Sequence, residues 1–272
     1  MRALPPSLLV LPVLAILSML ALPSLAQTPL QIELEGEWGA SKADVRKVLH
    51  ASAAPLWRQF PDRDLSPIKV AAKGGPIVWH KRGEKGEYTV RLDTGENYWA
   101  QYAYQFSHEF THILANYGRG GDRNKWFEEA ICELGSLWTM RRMAEDWQTK
   151  PPYPNWKTYG PHLHKYAQNF IDKTEVPDDL AAWYKNQKPA LEKAADNRPL
   201  NRIVAVALLP MFETEPELWQ SIAHLNKLRG EARGAATFEQ YLQAWHDNAP
   251  AKFGGRIREI AKMLGVEIGK RP

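Results

Sequence analysis

Cysteine is almost absent from this sequence: Cys132 is the single thiol in 272 residues. One thiol excludes an internal disulfide framework, so a hydrophobic core or a metal must hold the fold. Strong charge of either sign is lacking too, with 35 Lys+Arg against 31 Asp+Glu and a formal net charge of +4. No stretch interleaves Lys/Arg clusters with aromatics along a face, which argues against nucleic acid as a partner. Repeats and low-complexity tracts are missing, which excludes repeat arrays and compositionally disordered segments. A hydrophobic content of 44% and a charged content of 24% are those of an ordinary globular protein.

Long apolar runs are confined to one place. After Met1-Arg2, residues Leu8 to Leu22 are almost wholly apolar, and Ser24-Leu25-Ala26 precede Gln27. A basic start, an apolar core and a small-x-small site make residues 1–26 a secretory signal peptide. The competing reading is an uncleaved membrane anchor, since the run nearly spans a bilayer. Pro12, Pro23 and the small residues favour cleavage, and no cysteine stands near position 26 to carry a lipid. The expectation is an exported chain, periplasmic or secreted, with no stable membrane insertion after cleavage.

Hydrophobic periodicity then divides the chain. Leu30 to Glu35 alternates with period two and reads as a strand. Ser41 caps a helix carrying Val45, Val48, Leu49, Ala53, Leu56 and Phe60, with Pro55 marking a kink or a stop. Ile68-Lys69-Val70, Ile77-Val78-Trp79 and Tyr88 to Leu92 read as three more strands. A long helix follows from Tyr98 to about Asn116, with Asp93, Thr94 and Asn97 as candidate caps, and a second from Lys125 to about Gln148, capped by Asp122 or Asn124. Beyond Pro151, Pro152 and Pro154 the pattern is helical: His162 to Asp172, Pro177 to Tyr184, Leu200 to Phe212, Pro216 to Leu228, Phe238 to His246 and Gly254 to Leu264. The last two pair as an αα-hairpin across Pro250. The expected fold is α+β: a mostly antiparallel small sheet and both long helices in residues 27–150, then a helical lobe in 151–272.

The first long helix carries Ser107-His108-Glu109-Phe110-Thr111-His112, an H-E-x-x-H pattern. Histidines four apart leave the same face of a helix, and the glutamate beside them can reach a water on a shared metal. That is the arrangement of two zinc ligands and a general base. A third histidine in the H-x-x-G-x-x-H continuation is excluded, because Ala115 and Gly118 stand where the glycine and histidine belong. A short Gly-rich loop instead brings back Trp126-Phe127-Glu128-Glu129-Ala130-Ile131-Cys132-Glu133, whose first turn faces the histidines. A carboxylate from Glu129 can complete the set. Glu128 is the alternative, and Asp122 a third candidate better placed as a helix cap.

In these two motifs the chain resembles the gluzincins, zinc metallopeptidases that pair H-E-x-x-H with a W-x-x-E second helix. His108, Glu109 and His112 match the first motif, and Trp126, Glu129 and Glu133 the second, over roughly residues 87 to 140. The resemblance implies a zincin-like fold and one Zn²⁺ held by His108, His112 and Glu129. It also implies Glu109 as general base, Glu133 supporting the first histidine, and a peptide or protein substrate laid on an upstream edge strand, here Tyr88 to Leu92. The aminopeptidase hallmark G-x-M-E-N does not occur.

An oxyanion-binding Tyr or His is expected from Tyr153, Tyr159, His162, His164 or Tyr166. His50, His80, His224 and His246 lack ligand spacing and read as structural, and Cys132, weighed as a nucleophile or soft metal ligand, reads instead as a small hydrophobe packed in its helix. The rival to an exported zinc peptidase is a non-catalytic exported protein with structural zinc or a cell-envelope binding role.

Overall fold

The computed structural model describes residues 27–118, 123–228 and 234–269. The expected signal peptide and the candidate cap Asp122 lie outside the described residues. Among the described residues, no helix is long and apolar enough to cross a membrane.

Four short strands form one sheet: β1 (Ile32–Glu35), β2 (Ile68–Ala71), β3 (Ile77–Val78) and β4 (Tyr88–Arg91), in the order β1-β2-β4-β3. Helix α1 (Lys42–Trp57) connects β1 to β2, and that crossover returns the chain to the same end of the sheet. β1 and β2 therefore pair in parallel, with Ile32 opposite Ile68. β4 enters beside β2, also in parallel, with Ile68 opposite Tyr88. Only β3 runs antiparallel, against β4. The expectation of a mostly antiparallel sheet is thus corrected to a mixed one. β3 swings outside and leaves the place beside β2 to β4, so the sequence neighbours β2 and β3 do not pair. The edges accordingly belong to β1 and β3, and the Tyr88 strand is interior.

Ser41 caps α1 as expected, its side chain accepting from the Asp44 amide. Pro55 does not stop the helix: it sits near the end, and the missing amide costs a single bond before Trp57. Helix α2 (Trp99–Leu114) is the central element, buried all round except at Gln101 and Gln105. A helix apolar on every side must be enclosed by neighbours, and α1 packs on one flank while α3 (Lys125–Thr149) packs on another. The expected caps Asp93 and Thr94 engage Gln105 and Gln101 instead. Its end is where the sequence placed it: Asn116 adopts φ 54°, the left-handed residue that closes a helix. Arg63 donates to the carbonyls of Leu114 (2.5 Å) and Ile113 (3.0 Å), satisfying acceptors the helix leaves open.

Small residues let α2 and α3 approach closely. A Cβ on Gly135 would lie 2.2 Å from Thr111 Oγ1. The hydroxyls along this seam are satisfied by backbone carbonyls: Ser107 to Ala103, Thr111 to Ser107, and Ser136 to Tyr104. The seam sets the register of the site that follows.

The rest is helical: α4 (Gly160–Asp172), α5 (Leu180–Lys193), α6 (Arg198–Thr214), α7 (Phe238–Asn248) and α8 (Gly254–Met263), with Pro216–His224 a 3-10 segment. α5 extends past the expected end at Tyr184 and through Pro189. α7 opens with a capping box between Thr237 and Gln240, and it packs on α8 as the expected hairpin. One hydrophobic core joins residues from both halves of the chain, including Val48, Phe106, Ile131, Leu208 and Trp245.

Candidate metal centre

His108 and His112 project from the same face of α2, their ring centroids 5.1 Å apart. Both are buried. Glu129, in the first turns of antiparallel α3, meets them both: its Oε2 lies 3.2 Å from His108 Nε2 and 3.4 Å from His112 Nε2. Its other oxygen, Oε1, lies 3.6 Å from Lys125 Nζ. Burial would raise the Glu129 carboxyl, but the two histidines hold it well below the usual carboxylate range.

Glu128 plays a different part from the ligand role weighed for it. Its Oε1 accepts from His112 Nδ1 at 2.7 Å, and the side chain is almost wholly enclosed. Adjacent residues point about 100° apart around a helix, so Glu128 and Glu129 take opposite nitrogens of one ring. Burial alone would lower the His112 pKa, but Cys132 and the Glu128 and Glu129 carboxylates raise it well above the ordinary imidazole value. Fixing Nδ1 as a donor leaves Nε2 for whatever Glu129 shares with it.

Glu133 was expected behind His108. One turn further along α3 is one turn back along α2, and Glu133 meets Tyr104, whose hydroxyl donates to it. Arg202 on α6 donates its Nε to the same oxygen at 2.6 Å. The carboxylate found on an outer histidine nitrogen is Glu128.

Glu109 is buried beside the pair. Burial pushes its pKa above the ordinary value, Glu129 adds to the rise, and His108 and His112 oppose it; the Val78 backbone amide donates to the carboxylate. Cys132 is also at this centre. His108, His112 and Cys132 form a buried group whose ligand atoms all lie within 4.8 Å of one another and could hold a metal ion. The Cys132 thiol is wholly buried, and burial pushes its pKa up to about 12. Cys132 is therefore more than the core filler the sequence suggested.

Glu129 and Cys132 are rival third ligands, and they differ in access. Glu129 lines a cleft of about 280 Å³ together with His108, Glu109 and His112, and Cys132 does not. One wall of this cleft is Pro76, Ile77 and Val78 at the β3 edge, continuing into His80 and Tyr117; the other is Asp196, Arg198 and Asn201 at the start of α6.

The expected oxyanion residues lie elsewhere. Tyr153 sits under Lys47, the Tyr159 hydroxyl accepts from the Ala100 amide, His162 lies tilted against Tyr159, and Tyr166 packs on Tyr104 and Phe170. His164 is exposed. None of the five lines the cleft. Tyr117 does, and so does His80, which was read as structural. The Tyr117 hydroxyl donates to the Trp79 carbonyl at 2.6 Å, and burial pushes its pKa up to about 12. Tyr117 follows His112 by five residues, just past the helix end, and that proximity was the signal available. Arg198 and Asn201 gave no local signal at all.

Comparison of the chain with protein-family models, with curated proteins and with solved structures gives no match.

Proposed function

We propose that this chain is an exported zinc metallopeptidase of gluzincin type, holding one Zn²⁺ with His108, His112 and Glu129 and hydrolysing peptide bonds with Glu109 as general base. The observation that carries the proposal is the convergence of both imidazole Nε2 atoms on one Glu129 oxygen, in a cleft that also holds Glu109. Two imidazole nitrogens and a carboxylate oxygen suit zinc at an open, catalytic site, whereas calcium and magnesium prefer oxygen alone. When bound, the metal supplies Lewis-acid polarisation of a carbonyl and acidification of a water.

The chain's own residues do the rest. Glu128 holds the Nδ1 proton of His112 and so orients the ring. Lys125 draws Glu129 Oε1 aside and leaves Oε2 toward the histidines. The Glu109 carboxylate, made more basic by burial, takes the proton of the attacking water and returns it to the leaving amine. The β3 edge offers an extended peptide a backbone to pair with beside Glu109. The signal-like residues 1–26 support export.

Metal content and peptide hydrolysis, measured on the purified chain and two variants, test this. Glu109→Gln should keep zinc and lose hydrolysis, and His112→Ala should lose both; full activity in Glu109→Gln would overturn the mechanism.

One observation favours a second reading. With Cys132 as the third ligand, the centre is the buried His108, His112, Cys132 group, an enclosed set nearer to what structural zinc prefers. The protein would then be a non-catalytic exported zinc protein.

A further inference from the structure

We infer that Arg198 selects the substrate of this cleft by binding a carboxylate group on it, an inference that rests on the peptidase reading above. Two arginines stand one turn apart on α6, Arg198 and Arg202, and residues four apart share a helix face. Arg202 is committed: it donates to Glu133 at 2.6 Å, and its guanidinium lies 4.2 Å from the centre of the Phe170 ring. Arg198 lines the cleft, is exposed, and makes no ion pair among the described residues.

The other charges of the cleft do not compete for this role. Lys125 is directed at Glu129. Glu133 is answered by Arg202 and Tyr104, and Glu129 by two histidines and the lysine. Asp196, two residues before Arg198, lines the same wall, and it and Glu109 are the carboxylates that would favour a cationic substrate instead.

The backbone beneath Arg198 is anchored. Asn197 caps the helix through the Leu200 amide, and the enclosed Asn201 side chain donates to the Ala195 carbonyl at 2.7 Å. A guanidinium on a fixed base, lining the same cleft as His108, Glu109 and His112, fits the two oxygens of a carboxylate side by side. On a peptide that group is either the C-terminal carboxylate or an Asp/Glu side chain. The first would make the protein cut near chain ends; the second would make it cut beside acidic residues.

The experiment uses the zinc-loaded Glu109→Gln chain and calorimetric binding of four peptides of equal length. They carry a free C-terminal acid, a C-terminal amide, an amide with one internal Glu, and an amide with one internal Lys. Adding Arg198→Ala should weaken binding of a carboxylate-bearing peptide by about 10- to 100-fold and leave the neutral amide unchanged. Arg198→Lys should recover only part of the loss, because an ammonium lacks the planar fork. Whichever of the acid and the internal-Glu peptide responds identifies the source of the carboxylate. If Arg198→Ala changes neither, or the Lys peptide binds best, the inference is wrong while hydrolysis by the unmodified protein still stands. If the unmodified protein cleaves none of the four and the Glu109→Gln chain binds none, the peptidase reading falls and takes this one with it.

Discussion

Glu128 and His112 are joined by a 2.7 Å hydrogen bond from Nδ1 to Oε1, on the ring nitrogen that does not face Glu129. Two adjacent glutamates thus grip one imidazole from both of its nitrogens. A carboxylate on the outer nitrogen fixes ring orientation and raises ligand basicity, and losing such a partner typically weakens metal affinity about 10- to 100-fold. Glu128→Gln should show a loss of that size in competition with a chelator, with the fold intact. Glu133→Gln should weaken the metal far less, because its oxygen serves Tyr104 and Arg202.

Glu109 makes a prediction about pH. It must be ionised to accept a proton, and its pKa is raised above the ordinary 4.5, burial being the first cause. kcat/KM of the metal-loaded chain should therefore fall in acid as this carboxylate takes up a proton, and Glu109→Gln should abolish activity across the range. The stability consequence has the opposite sense to a paired surface carboxylate. A group whose folded pKa is raised contributes its stability below the unfolded pKa and loses it as pH rises through the folded one. At neutral pH the ionised Glu109 is thus a cost to the metal-free fold. Metal-free Glu109→Gln should melt higher than the parent at pH 7, and the gap should close below about pH 4, where the parent side chain is protonated. Calorimetric melting across that range checks it.

What could be read from the sequence was what local spacing determines. Four residues along α2 place two imidazoles together, and a short loop turns α3 back against them, so the approach of Glu129 to His108, His112 and Glu109 is legible in local spacing. Non-local choices were not readable. Nothing near Tyr88 says that β3 will swing outside and surrender its place beside β2. Whether Glu128 or Glu133 backs a histidine depends on the rotation of α3 about its own axis, which the close Gly135–Thr111 approach constrains from two turns beyond Glu128. The cleft's second wall, Arg198 and Asn201, arrives from a helix that follows the motif by most of a lobe. The tyrosines and histidines just beyond α3, Tyr153 to Tyr166, lie off the cleft instead.

Gly135 makes that rotation testable. A methyl group there would meet Thr111 Oγ1 at 2.2 Å and its Cβ at 3.1 Å, inside a seam with no spare volume. Overpacking of this kind costs about 1–3 kcal/mol. Gly135→Ala should destabilise the chain by that amount in urea unfolding and should also weaken metal binding, since the seam holds Glu129 against the histidines. Thr111→Ala in the same chain removes the clashing oxygen and should restore much of both losses, although it cannot remove the contact at Cβ.

Cys132 decides between the two readings of the metal centre. A cysteine binds metal as its thiolate, and burial here pushes the thiol pKa up to about 12. Glu129 is already ionised at neutral pH, held far below the ordinary carboxylate range once the histidines outweigh burial. Binding through Cys132 therefore requires a deprotonation in an enclosed site, whereas binding through Glu129 requires none. Cys132→Ser keeps the size of the side chain and removes the soft ligand. Under the peptidase reading the variant should retain one zinc per chain and its hydrolytic activity, and the cobalt-substituted parent should show no thiolate-to-metal absorption in the near ultraviolet. A cobalt–thiolate band in the parent, with loss of zinc in Cys132→Ser, would establish the closed structural site and leave Glu109 without a water to activate.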